Sequence, residues 1–337
     1  MITFFQETLL DWYKTQNRRL PWKDTKNPYY IWLSEIILQQ TRVEQGMPYY
    51  LRFTEKFPSV QDLANASIDE VLKLWEGLGY YSRARNLHET SKIIVEKHSG
   101  VFPFEYEEII ALKGIGAYTA AAISSFAYNY PKAVVDGNVY RLLSRFFHVE
   151  IPIDSPFGKK HFRELAEKCL DKRHSATYNQ AIMDFGATVC KPRLPLCESC
   201  PLQLNCQAFY QKTVSRLPVK EKSLEKKERY FHFLLVRDEN KILLQKRTMD
   251  DIWKGLCQLP KVEIFDRTLL EKMAIDKCLI VYRQLLTHRK IFAVFEEIEI
   301  GNLQLNSFED LFWIDAEIIH TFAFPKIIRE FLKDKII

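Results

Sequence analysis

Four of the chain's seven cysteines fall within one 17-residue segment, CKPRLPLCESCPLQLNC. Their spacing is C-x6-C-x2-C-x5-C, and they are Cys190, Cys197, Cys200 and Cys206. Thiolates at this spacing, with proline and turn residues between them, can surround one tetrahedral metal ion or one iron–sulfur cube. The spacing alone leaves a cluster, a structural zinc ion and unligated thiols open. The other three cysteines, Cys169, Cys257 and Cys278, stand singly in apolar patterns, and we expect them to be buried.

Two carboxylates stand in surroundings that suit catalysis. Glu35, in the segment IWLSEIILQQT, has Ile31, Trp32 and Leu38 as its neighbours on a helix. Apolar neighbours disfavour the charged form of a carboxyl and raise its pKa, which suits a general acid. Asp136, in VVDGNVYR, precedes a predicted helix. Taken alone, a solvated helix edge for Glu35 and a helix N-cap for Asp136 are the simpler interpretations.

A glycine-containing turn between two predicted helices offers backbone N–H groups to an anion. In LKGIGAYTA, Gly114 and Gly116 permit positive φ angles and close approach of a ligand. The N-terminus of the following helix also favours an anion, and Lys113 adds a positive charge. Such a turn can hold a DNA phosphate without reading sequence, although a plain turn between helices has the same pattern.

These three segments together resemble the endonuclease III superfamily of DNA glycosylases. The resemblance implies a [4Fe-4S] cluster, held by the four cysteines of the segment, that shapes a basic loop near the DNA phosphates. Lys191 and Arg193 lie in that loop. It also implies that LKGIG is a helix-hairpin-helix motif, with Lys113 in place of the usual proline, and that Asp136 is the essential aspartate.

Further segments resemble the adenine DNA glycosylases of the MutY type within that superfamily. SEIILQQT is similar to S-E-x-M-L-Q-Q-T, in which the glutamate, here Glu35, protonates the base. RRLPW is similar to R-x-L-P-W, which implies an adenine pocket; a core aromatic remains the alternative for Trp22. GLGYYSRARN implies that Tyr80 forms a wedge beside the damaged guanine. The implied adenine-pocket residues are Leu20, Trp22 and Lys23, and the implied DNA contacts are Leu38, Gln40, Thr41, Tyr80, Lys113, Gly114 and Gly116.

One position separates two kinds of glycosylase chemistry. Members with lyase activity carry a lysine in the pattern G-x-G-x-K-T-A, and this chain has Tyr118 there. A tyrosine cannot form a Schiff base, which predicts a monofunctional enzyme with water as the final nucleophile. The resemblance further implies that Tyr118 and Asn138 support the sugar and Asp136.

Helices joined by short loops must position these residues. We predict helices over about 29–45, starting at Asn27-Pro28, and over 68–75, 82–98, 106–112, 118–128, 137–147, 159–170 and 178–189. Residues 1–210 then form a helical glycosylase domain with the cluster loop at 190–206. Residues 211–229 contain KTVSRLPVKEKSLEKKER, with seven basic and three acidic residues, and are predicted to be an exposed linker.

After the linker, the apolar pattern becomes alternating, which predicts strands over 230–237, 241–246, 279–286 and 290–299 and a closing helix over 324–336. Residues 230–337 resemble the MutT/Nudix-like domain of the same glycosylases. The segment lacks the R-E-x-x-E-E metal box of Nudix hydrolases, so we expect base recognition without nucleotide hydrolysis. Leu286, Thr287 and His288 occupy the position of the family's F-S-H lesion-recognition loop, with leucine replacing its aromatic residue.

Composition sets limits on the class of protein. A chain of 337 residues with 47% hydrophobic and 27% charged residues is globular and long enough for two domains. Its net charge of +5 permits nucleic-acid binding. The N-terminal segment lacks the features of a signal peptide, and the uncharged stretch 114–131 is interrupted by polar residues and proline. We therefore expect no membrane association and a cytoplasmic, bacterial-type, nucleoid-associated location.

The sequence thus predicts a mainly α N-terminal glycosylase domain and an α+β MutT/Nudix-like C-terminal domain. The predicted function is hydrolysis of the N-glycosidic bond of adenine paired with 8-oxoguanine or guanine. The predicted partner is double-stranded DNA containing these mispairs, bound by a monomer. A bifunctional glycosylase/lyase for oxidised pyrimidines and a non-catalytic damage-binding protein are the alternatives.

Overall fold

The computed structural model describes residues 1–16, 18–221, 225–264, 266–299 and 309–335. The chain divides into two compact units that are not continuous in sequence. The first comprises Met1–Glu44, Phe57–Gln61 and Glu89–Ser223, and the second comprises Gln45–Lys56, Asp62–His88 and Leu224–Ile337. Among the described residues, no helix combines the length and the apolar character needed to cross a membrane.

Helices account for most of the ordered elements. In chain order they are α1 (Ile2–Lys14), α2 (Pro28–Leu38), α3 (Val43–Lys56), α4 (Val60–Asn65), α5 (Ile68–Trp75), α6 (Ser82–His98), α7 (Tyr106–Ala111), α8 (Ala117–Tyr128), α9 (Gly137–Phe146), α10 (Pro156–Cys169), α11 (Ser175–Thr188), α12 (Gln207–Tyr210), α13 (Arg267–Asp276) and α14 (Lys326–Lys335). Helices α3, α4 and α6 each contribute residues to both units.

The first unit is a helical body around an aromatic core. Phe5 on α1, Phe146 on α9 and Phe185 on α11 are completely or almost completely buried. The rings of Phe5 and Phe146 are 4.6 Å apart. Burial of each such side chain contributes roughly 1.5–3 kcal/mol, so this core holds α1, α9 and α11 together.

Helix α2 has an unusual composition for its position. Its sequence, PYYIWLSEIIL, is apolar on every face, and nearly all of its residues are buried. A helix that is hydrophobic all round belongs inside a protein rather than on its surface. Asn27 caps its first turn by accepting a hydrogen bond from the N–H of Tyr29 at 3.0 Å, as predicted.

The second unit contains a mixed β-sheet. Its strands are β1 (Lys227–Asp238), β2 (Lys241–Lys246), β3 (Cys257–Gln258), β4 (Lys261–Ile264), β5 (Tyr282–Leu285), β6 (Arg289–Glu299) and β7 (Leu311–Asp315), in the order β3-β2-β1-β6-β5, with β4 paired to β1 and β7 to β2. β1 and β6 run parallel, and the other pairs are antiparallel. Buried residues cover both faces of β1, which explains its apolar run. On one face, Phe295 stacks on Phe331 of α14 at 4.1 Å.

The structure corrects several details of the sequence prediction. The helix predicted over 29–45 ends at Leu38, because Gln40 has a φ of 53° and α3 starts only at Val43. Helix α3 then continues to Lys56 with Pro48 inside it. Helices α1, α3, α4, α12 and α13 were not individually predicted. Position 336 of the predicted closing helix lies outside the described residues.

Two burial predictions also fail. Leu217, within the segment predicted to be an exposed linker, is 2% exposed, because the segment packs on the first unit; the N–H of Ile153 donates to the carbonyl of Val219 at 3.0 Å. Cys278 is exposed, because it follows α13 in a turn with a φ of 55°. Cys169 and Cys257 are buried as predicted.

Candidate active site

Glu35 lies on α2 with its carboxyl group buried. Its side chain is 7% exposed, because α2 is surrounded by apolar residues. This burial raises the pKa of Glu35 to about 7; a hydrogen bond from the hydroxyl of Tyr118 lowers it in part, and the charge of Asp136 raises it. The solvated helix edge considered for Glu35 is therefore wrong. Near neutral pH, this carboxyl group can carry a proton and give it up.

Asp136 caps α9 and faces the same group of side chains. Its Oδ1 accepts hydrogen bonds from the N–H groups of Asn138 and Val139, both at 2.8 Å. Its Oδ2 accepts one from Nδ2 of Asn138 at 2.7 Å. Burial raises the pKa of Asp136, and these hydrogen bonds oppose the shift. The structure therefore makes Asp136 an N-cap and also brings it within electrostatic range of Glu35 and Tyr118.

A chain of hydrogen bonds leads from Asp136 to the cysteine segment. Nη2 of Arg141 donates to Oδ1 of Asn138 at 2.8 Å and to the carbonyl of Gly186 at 2.7 Å. Its Nε donates to the carbonyl of Cys190 at 2.7 Å. Asn138 is thus held on one side by Arg141 and itself holds Asp136 on the other. Arg141 was not among the predicted site residues, because only the fold brings the carbonyls of Gly186 and Cys190 to its guanidinium group.

The four cysteines line one pocket in the first unit. They share it with apolar side chains from α9 and α11, and Nη1 of Arg145 donates to Sγ of Cys190 at 3.4 Å. Within the described part of the chain, no three His, Cys, Asp or Glu side chains are arranged to hold a single metal ion. The structure therefore gathers Cys190, Cys197, Cys200 and Cys206 at one place without closing them around one point.

The predicted adenine-pocket residues lie in a turn after α1. Leu20 and Trp22 are each 7% exposed, and the ammonium group of Lys23 forms an ion pair with Asp184 on α11. Nη1 of Arg18 binds the other oxygen of Asp184 at 2.6 Å. Burial lowers the pKa of Lys23, and its ion pair with Asp184 opposes the shift.

Asp184 is a site residue that the sequence analysis missed. It is 3% exposed and carries the only charged side chain in α11, SATYNQAIMDFGAT. A buried carboxylate needs cationic partners, so a single acid in an otherwise uncharged helix was the signal that pointed to such a site.

The glycine-containing turn between α7 and α8 has the geometry of an anion-binding hairpin. Gly114 has a φ of 77°, and Gly116 is the N-cap of α8, which no side chain caps. A Cβ added to Gly116 would meet nothing within 4 Å. The ammonium group of Lys113 contacts both oxygens of Glu89 at 2.6 and 2.5 Å. The Gly116 side of the turn is thus open, whereas its lysine is held by an acid.

The DNA contacts implied after α2 lie at its exposed end. Leu38 is half-buried, Gln40 is exposed with a φ of 53°, and the hydroxyl of Thr41 donates to the carbonyl of Gln39 at 3.2 Å. These residues form a protruding turn that directly follows the helix of Glu35.

In the second unit, the structure brings Tyr80 into contact with the predicted lesion-recognition residues. Thr287 and His288 are exposed at the tip of the hairpin between β5 and β6, which the N–H of Leu286 closes by donating to the carbonyl of Arg289 at 2.8 Å. The hydroxyl of Tyr80 donates to Oγ1 of Thr287. Tyr80 has a φ of 48°, so it sits in a strained turn whose side chain is held in place.

Two stretches of the chain match known protein families. Residues 33–169 match the HhH-GPD superfamily of base excision DNA repair proteins. Residues 232–334 match the NUDIX domain. The first stretch contains Glu35, Tyr118, Asp136 and the hairpin, and the second contains most of the sheet and its hairpin tip.

Several relatives of the chain are adenine DNA glycosylases. An adenine DNA glycosylase of Buchnera aphidicola subsp. Schizaphis graminum is 32% identical over 351 residues, covering 98% of this chain and 99% of the relative. One of Buchnera aphidicola subsp. Baizongia pistaciae is 40% identical over 260 residues, covering 76% and 73%. That of Rattus norvegicus is 42% identical over 225 residues, covering 64% and 44%.

The chain belongs to the adenine DNA glycosylase family. The predictions of a base-excision-repair enzyme that hydrolyses an N-glycosyl bond, and of DNA as its binding partner, are confirmed. Neither alternative class, a bifunctional lyase or a non-catalytic binding protein, agrees with this family. The roles of the individual site residues stay predictions.

Solved structures agree on the fold of the glycosylase's helical part. A thermostable thymine-DNA glycosylase superposes with a TM-score of 0.58 at 29% identity, covering 62% of this chain and 97% of that chain. An endonuclease III in a non-covalent complex with DNA gives a TM-score of 0.54 at 21% identity, covering 63% and 96%, which shows a shared fold. The predicted combination of a helical glycosylase domain and a Nudix-like domain is confirmed.

Proposed function

We propose that this glycosylase, acting as a monomer at the cytoplasmic nucleoid, removes adenine mispaired with 8-oxoguanine or guanine in duplex DNA. The observation that carries the proposal is the buried carboxyl group of Glu35, whose pKa is raised to about 7 beside Tyr118 and Asp136. An acid that titrates near the working pH is the best proton donor for a departing base.

The reaction begins with the adenine flipped out of the duplex. Glu35 protonates N7, which makes adenine a neutral leaving group as the C1′–N9 bond breaks. Positive charge develops on the sugar, and the ionised carboxylate of Asp136 stabilises it in a site of low dielectric constant. A water molecule then adds to C1′, its surplus proton passes to the Glu35 carboxylate, and an abasic site remains. Asn138 supports this step, because its amide holds Oδ2 of Asp136 at 2.7 Å.

The absence of lyase activity follows from the residue at position 118. Tyr118 donates its hydroxyl hydrogen bond to Glu35, and burial raises its pKa well above the ordinary value. It therefore stays protonated and offers no amine for attack on the sugar.

The adenine pocket is built on the Asp184 ion pairs. Leu20 and Trp22 supply apolar surface, and the Arg18–Asp184–Lys23 group keeps the intervening turn in place. Because Trp22 is only 7% exposed, only a small part of its ring is open to the base.

The hairpin and the turn after α2 form the DNA interface. The uncapped N-terminus of α8 and the open space at Gly116 suit a phosphate oxygen. Leu38, at the end of the helix that carries Glu35, and Gln40 enter the duplex as the adenine leaves, and Thr41 contacts the DNA beside them. Tyr80, Thr287 and His288 contact the base opposite the adenine.

The pocket of the four cysteines suits a [4Fe-4S] cluster. The donor set is four thiols, the walls are apolar, and Arg145 already donates to Cys190. A bound cluster would shape the loop 190–206, which carries Lys191 and Arg193 toward the DNA phosphates. Purified protein is expected to be brown and to hold about four irons per chain. Colourless protein with one zinc per chain would contradict this assignment.

A single assay tests the proposed activity. Duplexes with adenine opposite 8-oxoguanine, adenine opposite guanine and thymine glycol opposite adenine are each incubated with excess protein, with and without alkali. We expect adenine loss from the first two, strand breaks only after alkali, and no reaction of thymine glycol. Cleavage of thymine glycol, or strand breaks without alkali, would contradict the proposal.

A further inference from the structure

A partly buried carboxylate outside the catalytic group, Glu76, directly follows α5 in the second unit. Glu76 has a side chain that is only 10% exposed. Its Oε1 accepts a hydrogen bond from the N–H of Phe324 at 2.8 Å, and its Oε2 accepts one from the ammonium group of Lys73 at 3.0 Å. Nη1 of Arg329 lies 3.7 Å from the same oxygen. A carboxylate taken out of water needs partners of this kind.

These contacts join two segments that are far apart in sequence. Lys73 donates a second hydrogen bond to the carbonyl of Phe322 at 2.9 Å. The end of α5 is thus tied to both Phe322 and Phe324, in the stretch that leads into α14. Neither segment contains a residue assigned to the chemistry of the active site.

From this stretch, contacts lead to the tip of the β5–β6 hairpin. The N–H of Ile327, in the first turn of α14, donates to Oε1 of Gln284 at 3.2 Å. The hydroxyl of Tyr282 donates to Asp334 at the other end of α14, at 3.3 Å. Gln284 and Tyr282 belong to β5, so α14 holds the strand that ends just before Thr287.

Tyr80 connects the hairpin tip back to Glu76. Its hydroxyl binds Thr287, and it follows Glu76 by four residues. The intervening turn contains Gly77 and Gly79, with φ angles of 99° and 75°. The turn is closed by hydrogen bonds of its own, from Nε1 of Trp75 to the carbonyl of Gly79 at 3.0 Å and from the N–H of Gly77 to the hydroxyl of Tyr81 at 3.2 Å, so a shift at Glu76 is passed on to Tyr80.

We infer that Glu76 is a positioning residue for recognition of the base opposite the adenine. It holds the Tyr80 turn and the Thr287–His288 tip in one register, and so sets the preference for adenine opposite 8-oxoguanine over adenine opposite guanine. The inference rests on the proposed role of that hairpin tip. Loss of Glu76 should therefore alter discrimination far more than bond cleavage.

The test measures single-turnover rates of adenine release by the full chain on both duplexes. Glu76→Gln keeps the shape and an oxygen acceptor for the Phe324 N–H, but removes the charge facing Lys73 and Arg329. We expect the ratio of the two rates to fall about tenfold, the size of effect carried by one charge-assisted hydrogen bond, with the loss on the 8-oxoguanine duplex. A wild-type ratio, or an equal loss on both duplexes, would overturn the inference.

Asp69→Asn is the matched control. Asp69 also pairs with the strand-rich segment, through Lys246, but its side chain is 66% exposed. Exposed ion pairs contribute little, so this variant should keep the wild-type ratio. If Glu76→Gln does not fold, as shown by the lack of a cooperative melting transition, Lys73→Gln replaces it in the test. This variant removes the contacts of Lys73 to Glu76 and to the Phe322 carbonyl. An unchanged ratio of the two rates in Lys73→Gln would also overturn the inference.

A double-variant measurement tests the shared register. Glu76→Gln and Tyr80→Phe act on the two ends of one turn, so their effects on the ratio should be less than additive. Fully additive effects would contradict the inference that Glu76 and Tyr80 act through the same turn. A wild-type chain without any preference would overturn both the proposed function and this inference, whereas a preference that survives Glu76→Gln and Lys73→Gln overturns the inference alone.

Discussion

Glu35 and Asp136 are two carboxyl groups that share one site and have different surroundings. Glu35 is buried on an apolar helix and meets a single hydroxyl donor, Tyr118. Burial raises the pKa of Asp136, but this carboxyl group receives three hydrogen bonds from Asn138 and Val139, which favour its charged form. One acid that keeps its proton beside one that is helped to lose it is the arrangement needed for leaving-group protonation with charge stabilisation.

Isosteric substitutions separate these roles from structural ones. Glu35→Gln removes the proton donor, and Asp136→Asn removes the charge, while both keep the side-chain shape. Each should lower the single-turnover rate by at least about 10²-fold. Binding of the lesion duplex should change little, because affinity comes mainly from phosphate contacts. If either variant binds DNA and keeps a near-normal turnover rate, the carboxylate that it replaces has only a structural role.

The pKa of Glu35 predicts the pH dependence of the reaction. The acid must be protonated to act, so the single-turnover rate should fall as the pH rises through about 7. Tyr118→Phe removes a hydrogen bond that lowers this pKa, so the falling limb should move to higher pH. A pH–rate profile on one duplex with excess protein measures both. A falling limb near pH 4.5, or no movement in Tyr118→Phe, would speak against this assignment.

The same pKa predicts a cost in stability. The folded chain holds the Glu35 proton up to about pH 7 and the unfolded chain only up to about 4.5, so the contribution of Glu35 to stability falls as the pH rises between these values. Glu35→Gln cannot ionise and should be more stable than wild type at pH 8, by up to about 3 kcal/mol. Urea unfolding at pH 8 and pH 4 measures the difference, which should vanish at the lower pH.

Among the elements, helix α9 connects the proposed active site with the cysteine loop. Asp136 caps its first turn, Arg141 fixes Asn138 and the carbonyl of Cys190, and Arg145 reaches the sulfur of Cys190. The cap and the catalytic assignment of Asp136 are therefore compatible, because its two oxygens are oriented by the helix that it starts. The cysteine loop in turn holds the far ends of the two arginines.

The hairpin before α8 differs from the family pattern at Lys113, and the structure gives that difference a testable consequence. Glu89 holds the ammonium group of Lys113 on the turn that we propose binds the DNA phosphates. Glu89→Gln should free the lysine, tighten binding to undamaged duplex, and steepen the salt dependence of log K by roughly the 0.9 expected for one added phosphate contact. Titrations at several salt concentrations measure it.

Glu96→Gln is the control for this prediction, since Glu96 is an exposed acid two turns further along α6. It removes the same charge without touching the hairpin. Equal effects of the two substitutions would mean that only the overall charge matters. Lys113→Gln in the Glu89→Gln background should abolish the gain.

At the scale of the whole molecule, the second unit combines helical residues 45–56 and 62–88 with the C-terminal sheet. Deleting residues 230–337 removes the partners of Lys73 and Glu76, so the truncated chain should melt at a lower temperature. It should still remove adenine, because Glu35, Tyr118 and Asp136 belong to the first unit, but its preference for 8-oxoguanine should shrink. Thermal melting and rates on both duplexes measure these effects; undiminished discrimination would contradict the role of the C-terminal domain.

The sequence by itself determined the family and the two-part architecture, and it predicted which residues carry the chemistry. Short motifs sufficed because local backbone geometry and ligand chemistry are written in adjacent residues: Asn27-Pro28 starts α2, Gly114 and Gly116 make the hairpin turn, and Tyr118 excludes a Schiff base. Helix α6 even has the predicted bounds, 82–98.

Only the tertiary structure decided which environment each of these groups has. Glu35 is buried only in the folded chain. The pairing of Lys23 with Asp184 and the hydrogen bonds of Arg141 to the carbonyls of Gly186 and Cys190 join residues that are tens to more than a hundred positions apart. The Glu76 and Tyr80 contacts span still longer separations. Solvation and electrostatic coupling depend on distances in space, and the spacing of residues along the chain does not give these distances. The pKa shifts and the positioning contacts therefore became visible only in the folded structure.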